Sequence, residues 1–122
     1  MPVRYLFDEN LRGPLWDAVQ RHNEFGSHVI DCLRVGDIDE LPLSIGDPEL
    51  VRWAAREGRV LVSLDLSTIP GHVLAFVRDG GSCPGVFLVR QLSTVPAVVI
   101  FLVAAVYASE PEEWRDRIEF IP

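Results

Sequence analysis

A short apolar run near the N-terminus, stopped at once by acidic residues, constrains the fold more than any other part of the sequence. Residues 3–7 read Val-Arg-Tyr-Leu-Phe and are followed by Asp8, Glu9 and Asn10. A short run rich in β-branched and aromatic residues predicts a buried strand. A second such run, residues 59–64, ends in Asp65. Ligands of open parallel sheets bind beyond the carboxyl ends of the strands, so we expect both aspartates at one functional end.

The hydrophobic pattern alternates between strand and helix along the whole chain. We predict strands at residues 3–7, 27–33, 60–64, 85–90 and 117–121, and helices at residues 11–22, 47–57, 73–78 and 95–108. This order favours an α/β sandwich with a central, mostly parallel sheet. A chain of 122 residues fits a single domain, residues 1–122. The irregular stretch at residues 34–46 is long enough for a functional loop.

All eleven basic residues are arginine, and the sequence contains no lysine. This excludes a P-loop and a Schiff-base enzyme, and it argues against the receiver domains and phosphatases that combine an aspartate after the first strand with a lysine. The net charge of −7 argues against loose binding to nucleic acid. That charge suits a metal site or a basic protein partner. With no visible secretory signal and no disulfide pattern at Cys32 and Cys83, we expect a cytoplasmic protein.

The stretch from residue 91 to residue 109 contains no charged side chain, and residues 95–108 are almost entirely apolar. A membrane span needs about 20 such residues, so we predict no membrane association. A helix that is apolar on all sides is either deeply buried or half-buried in an interface. A domain of this size should leave one side of the helix wet. We therefore predict a homodimer through this helix in preference to a monomeric core.

Three aspartates, Asp8, Asp47 and Asp65, each stand near the start of a loop or helix beyond a predicted strand. Carboxylates brought close together repel each other unless a divalent cation lies between them, and oxygen ligands suit Mg²⁺ or Mn²⁺. Asn10 would add a neutral oxygen. Each acid also has a structural interpretation, since Asp47 is placed to cap a helix and Asp65 to form a turn. Taken together, the three acids favour a metal site.

Four segments resemble the DUF5615 group of PIN-like proteins: residues 6–11 (Leu-Phe-Asp-Glu-Asn-Leu), 46–50 (Gly-Asp-Pro-Glu-Leu), 58–65 (Gly-Arg-Val-Leu-Val-Ser-Leu-Asp) and 84–90 (Pro-Gly-Val-Phe-Leu-Val-Arg). The resemblance implies a PIN-like three-layer α/β/α sandwich with an acidic Mg²⁺ or Mn²⁺ site. It further implies a nuclease, as in the toxin of a toxin–antitoxin pair. Asp8, Asp47 and Asp65 match the acidic positions, and Asn10 matches the polar residue that follows the first of them. Ser67 departs from the group, which often has an aspartate there.

Two functions remain open from the sequence. The first is a metal-dependent ribonuclease in which Asp8 and Asp65 bind the ion directly, and Asp47 binds it directly or through water. Around these acids or against the substrate we expect Asn10, Arg12, Ser67, Thr68 and His72. Arg12, Arg34 and Arg90 are candidates for binding RNA phosphates. The second is a catalytically weak or inactive protein-binding module, favoured by Ser67, the acidic charge and the apolar helix.

Overall fold

Five parallel strands form one sheet in the computed structural model, which describes residues 2–11 and 13–122. The strands are β1 (Tyr5–Phe7), β2 (Cys32–Arg34), β3 (Val60–Ser63), β4 (Val86–Val89) and β5 (Ile118–Ile121), in the order β2-β1-β3-β4-β5. The helices are α1 (Pro14–Phe25), α2 (Asp47–Glu57), α3 (Ile69–Arg78) and α4 (Val95–Ala108), with 3₁₀ turns at Glu9–Leu11 and Pro111–Glu113. The predicted α/β class is confirmed.

Alternate side chains of the strands build two separate apolar cores. Tyr5 and Phe7 of β1 pack with Val62, Leu15 of α1 and Leu102 of α4. The opposite face of the sheet packs against α2 and α3, through residues that include Leu6, Leu50, Leu61, Ile69 and Val73. Burying each large side chain contributes about 1.5–3 kcal/mol. The chain therefore forms the three-layer α/β/α sandwich expected from the sequence.

The crossover through α4 differs in hand from the crossover that precedes it. The β3–β4 and β4–β5 connections both move one strand in the same direction across the sheet. Helix α3 lies on one face of the sheet and α4 on the other. Since parallel crossovers are almost always right-handed, this reversal is unusual. The Tyr5 hydroxyl donates to the Leu102 carbonyl at 2.8 Å, and this bond fixes α4 beside α1. Burial raises the pKa of the Tyr5 hydroxyl.

Three predicted element boundaries differ from the structure, each for a local reason. Helix α1 begins at Pro14 and not at residue 11, because the chain first forms the 3₁₀ turn Glu9–Leu11 and the helix starts after Gly13. The second strand is shorter than predicted, since the Asn23 side chain takes both backbone polar groups of Ile30 at 2.8 and 2.9 Å. Helix α3 begins four residues early because the Asp65 carboxylate binds the backbone just before it.

Helix α4 spans residues 95–108, as predicted, and only part of its surface is buried. Val98, Leu102, Ala105 and Val106 face the core. The outer side presents Ile100, which is 69% exposed, and Tyr107, which is 51% exposed. Among the described residues, no helix is both long enough and apolar enough to cross a membrane. The homodimer interface stays a prediction.

Candidate functional site

The carboxyl end of the sheet has a switch point between its two central strands. From β1 the chain continues through α1 to β2 on one side, whereas from β3 it continues through α3 to β4 on the other side. The two helices lie on opposite faces of the sheet. Connections that diverge in this way leave a crevice, which is where doubly wound sheets bind ligands. Asp8 follows β1 directly and Asp65 follows β3 by two residues, so the structure brings both to this crevice.

Asp8 is a buried carboxylate, with only 8% of the residue exposed. Its Oδ1 accepts from the Glu9 amide at 2.7 Å, and its Oδ2 accepts from the Ser63 hydroxyl at 2.9 Å. Burial raises the pKa of Asp8, these two hydrogen bonds lower it, and the charges of Asp47 and Asp65 raise it further, with a net upward shift. Asp8 is therefore a carboxylate that a nearby positive charge would stabilise.

Ser63 was given no role by the sequence analysis, and the structure places it at the centre of this network. It is fully buried at the end of β3. Its hydroxyl donates to Asp8 Oδ2 and accepts from the Asp65 amide at 3.0 Å, which ties β1 to the loop after β3. The sequence does contain a signal for this role, since Ser63 is a hydroxyl residue in an otherwise apolar strand and a buried hydroxyl needs a hydrogen-bond partner.

The Asp65 carboxylate is occupied by hydrogen bonds from the start of α3. Its Oδ1 accepts from the Ser67 amide at 3.0 Å, the Ser67 hydroxyl at 3.1 Å and the Thr68 amide at 2.9 Å. Its Oδ2 accepts from the Thr68 hydroxyl. These bonds, the Thr68 hydroxyl first, lower the pKa of Asp65 to about 2. The turn-forming interpretation of Asp65 is confirmed, and only its Oδ2 side has room for another ligand.

Asp47 does not cap α2, so the capping interpretation is wrong. The N-cap residue is Gly46, and Asp47 is the first residue of the helix with no side-chain cap. Its Oδ2 instead accepts from the Thr68 hydroxyl at 3.0 Å. His72 is on the same side, with Nε2 at 4.0 Å from Asp47 Oδ2. Asp47 therefore reaches across from α2 to the start of α3 and joins the group around Asp65.

The Thr68 hydroxyl lies between two carboxylates but carries one proton. It contacts the Oδ2 atoms of both Asp47 and Asp65 and can donate to only one of them at a time. The other carboxylate oxygen then faces a lone pair, an arrangement that a cation or a proton would relieve. Thr68 was expected near the site, and its position between the two acids is what holds them together.

The chemistry of these residues fits a divalent ion better than their arrangement does. Asp8, Asp47 and Asp65, together called the acidic site below, supply the hard oxygen ligands that Mg²⁺ and Mn²⁺ prefer. Within residues 2–11 and 13–122, however, no three or more His, Cys, Asp or Glu side chains are arranged to hold a metal. The reason is visible in the hydrogen bonds, since Asp8 turns to Ser63 and Asp65 turns to the amides of α3.

Arginines lie on both sides of the acidic site. Arg34 ends β2, next to β1, and Arg90 follows β4, next to β3. Arg34 is partly exposed, stacks on Trp16 at 4.5 Å from the ring centroid and pairs with Asp37 at 2.8 Å. Arg90 is exposed. A third predicted arginine, Arg12, lies outside the described residues. The sheet thus places an arginine on either side of the crevice, with Arg34 already paired to Asp37.

Comparison with known proteins adds no assignment, because no family model, no curated protein and no solved structure matches this chain. The resemblance to the DUF5615 group of PIN-like proteins, carried by residues 6–11, 46–50, 58–65 and 84–90, therefore stays a prediction. The function is therefore inferred from the geometry at the carboxyl end of the sheet, where a buried aspartate lies beside two others with an arginine on either side.

Proposed function

We propose that the protein is a Mg²⁺- or Mn²⁺-dependent ribonuclease whose active centre is the acidic site. The observation that carries this proposal is Asp8, a buried carboxylate whose pKa is raised and which shares the switch-point crevice with Asp47 and Asp65. An aspartate has no structural need to be buried and repelled by its neighbours, and an acid whose pKa is raised by burial and by like charges in a crevice is a candidate for a functional site. A cation among these groups would reverse the repulsion.

Each acid has a distinct part in the proposal. Asp8 and Asp47 would hold the ion, and Asp65 would contribute its Oδ2 side while its Oδ1 keeps the start of α3 in place. The ion, when bound, supplies an activated water and neutralises charge on the scissile phosphate. Ser63 fixes the orientation of Asp8 through its hydrogen bond to Oδ2, and Thr68 sets the spacing between Asp47 and Asp65. His72 is placed to contact the substrate beside Asp47.

The substrate class follows from the arginines that flank the acidic site. Arg34 and Arg90 lie one strand away from Asp8 and Asp65 on opposite sides, in line along the sheet. A single-stranded RNA laid along this line would place its phosphates on the two guanidinium groups and one phosphodiester between them. With a net charge of −7 the rest of the surface repels RNA, which restricts binding to this line. The same charge suits a basic antitoxin as a partner, and the free thiols of Cys32 and Cys83 suit a cytoplasmic location.

A second candidate function is a catalytically weak protein-binding module of the same fold. The observation that favours it is the hydrogen bonding of Asp65, whose Oδ1 is fully occupied by Ser67 and Thr68. The exposed apolar side of α4, which includes Ile100 and Tyr107, would then serve as the binding surface. In the ribonuclease the same surface would form a homodimer, because it continues an apolar helix whose other side is core.

RNA cleavage separates the two functions. The purified protein should cleave single-stranded RNA with Mg²⁺ or Mn²⁺ and stop when EDTA is added. Asp8→Asn keeps the shape and removes a ligand charge, so cleavage should fall by about 10² or more while circular dichroism is unchanged. Asp79→Asn, an exposed aspartate after α3 at the opposite end of the sheet, is the matched control. Cleavage that persists in Asp8→Asn would refute the active centre proposed.

The effect of metal on stability tests the proposed function independently of cleavage. An ion that binds only the folded chain stabilises it by about 2.7 kcal/mol at 100-fold excess over the dissociation constant. The ribonuclease requires this stabilisation, measured as a rise in melting temperature with Mn²⁺. A protein that shows neither the thermal shift nor cleavage of varied RNAs is the binding module.

A further inference from the structure

A second feature of the same end of the sheet is a cavity of about 190 Å³ on the side covered by α1 and α4. Its floor is apolar and includes Leu11, Leu15, Val89 and Val98. We propose that this cavity binds one nucleobase of a single-stranded RNA, next to the phosphodiester that the acidic site acts on. This inference rests on the proposed function for its substrate class, and it adds the residues that line the cavity to the flanking arginine Arg90.

The size and walls of the cavity fit one ring system. Sites for whole drug-sized ligands occupy about 300–1,000 Å³ and combine apolar walls with a few polar groups. This cavity is smaller, so it accommodates a fragment of a nucleotide and not a folded peptide or a lipid chain. Asn10 and Gln91 bring amide groups to its lining. An amide can donate to and accept from the edge of a base, while apolar side chains cover its faces.

The mouth of the cavity carries the cationic side chain of Arg90 although the chain is strongly acidic. Arg90 lines it, as do Gly13 and Thr94, the residues that precede α1 and α4. These helices have 12 and 14 residues, and the positive ends of both dipoles therefore point at the same opening. An apolar floor below a positive mouth is complementary to a nucleotide, with the base inside and the phosphate outside.

The loops that follow β1 and β3 contribute residues to both the cavity and the acidic site. Asn10, which lines the cavity, follows Asp8 by two residues. Leu64 also lines it and lies between Ser63, the hydrogen-bond partner of Asp8, and Asp65. The two loops that end β1 and β3 thus carry acids on one side and cavity walls on the other. A base held in the cavity would position the neighbouring phosphodiester at the carboxyl end of the sheet.

The test is an NMR titration of the ¹⁵N-labelled protein without metal, so that cleavage plays no part. The probes are uridine 5′-monophosphate and ribose 5-phosphate, which lacks the base. We expect uridine monophosphate to shift the amides of Val89 and Val98 and to bind about tenfold more tightly than ribose 5-phosphate. Equal affinity for the two probes, or shifts confined to other parts of the protein, overturns the base-binding cavity.

Arg90→Gln tests the mouth of the cavity. Removing this charge should weaken uridine monophosphate about tenfold. Arg78→Gln, at an exposed arginine that ends α3 at the opposite end of the sheet, is the matched control and should leave the affinity unchanged. An affinity that is the same in Arg90→Gln and Arg78→Gln refutes the role of Arg90 and the orientation proposed for the nucleotide.

Cleavage kinetics distinguish failure of the cavity from failure of the ribonuclease. If both are right, Arg90→Gln raises KM for RNA and leaves kcat unchanged, because the lost contact binds substrate and transition state equally. Nucleotide binding in a protein that cleaves no RNA supports the cavity and refutes the ribonuclease. Metal-dependent cleavage without any shift at Val89 and Val98 supports the ribonuclease and refutes the cavity.

Discussion

Replacing Ser63 by alanine isolates the interaction that holds Asp8 in its buried position. The change removes the donor to Asp8 Oδ2 at 2.9 Å and the acceptor of the Asp65 amide at 3.0 Å. A hydrogen bond to a charged group contributes about 1.5–3 kcal/mol. That hydrogen bond favours the charged form of Asp8, so the pKa of Asp8 should rise further when it is lost.

The sign of the pH dependence follows from the direction of this shift. The folded pKa of Asp8 is already raised above the ordinary value of 3.8, which costs stability that is absent below 3.8 and complete above the folded pKa. In Ser63→Ala that cost grows. The free energy of unfolding should therefore fall by about 2–3 kcal/mol near neutral pH, and by only about 1 kcal/mol below 3.8, where Asp8 is neutral in both states.

Urea unfolding across this pH range, with the pKa of Asp8 followed by NMR, measures both quantities. Ser67→Ala is the matched control, because Ser67 is exposed and donates to Asp65 instead of Asp8. It should leave the pKa of Asp8 unchanged. A loss of stability in Ser63→Ala that is the same at acid and neutral pH, or an unshifted pKa of Asp8, would refute the role given to Ser63.

Three further predictions concern the fold and its surfaces. Ile100→Asp should convert a dimer to a monomer in light scattering with a change in unfolding free energy within about 0.5 kcal/mol, since Ile100 is 69% exposed; a monomeric unmodified protein contradicts the α4 interface. Asp65→Ala should cost about 1 kcal/mol in urea unfolding at neutral pH. The pKa of Asp65 is lowered to about 2, so the difference in unfolding free energy between this variant and the unmodified protein should disappear as the pH falls through this value. A difference that does not change with pH would argue against the hydrogen bonds to Asp65. Gly85→Ala should lower the unfolding free energy by more than about 2 kcal/mol, because Gly85 has φ +125° and a Cβ there would lie 2.6 Å from the Trp114 carbonyl oxygen. Gly71→Ala in α3, where a Cβ meets open space, should instead be neutral or stabilising, and equal effects at both positions would count against this backbone geometry.

The architecture was predictable from the sequence because each element carries its own periodic signal. Helix α4 is bounded by Thr94, which caps it, and Ser109, so the apolar run and the helix coincide. The strand β2 was less predictable, because whether residues 27–30 extend it depends on the side chain of Asn23, which takes the backbone of Ile30 seven residues later. Contacts between distant elements, such as the placement of α4 beside α1, leave no local mark in the sequence.

The acidic site was predictable in position and not in detail. The pattern of an aspartate after an apolar run located Asp8 and Asp65 correctly at the carboxyl end of the sheet. The helix-start signal at Asp47 suggested a cap, yet Gly46 takes that position and Asp47 turns to Thr68. Single-residue shifts of a helix start are below the precision of sequence patterns. They decide whether a carboxylate serves its own helix or a neighbouring one.

Direct binding of Mn²⁺, followed by the loss of its free-ion EPR signal near neutral pH, measures whether Asp8, Asp47 and Asp65 act as one cation site. We expect one tight site in the unmodified protein, weakened about tenfold or more by Asp8→Asn and by Asp47→Asn alike. Asp79→Asn, remote from the crevice, should bind as the unmodified protein does. Absence of Mn²⁺ binding, or an affinity that Asp8→Asn leaves unchanged, would contradict it.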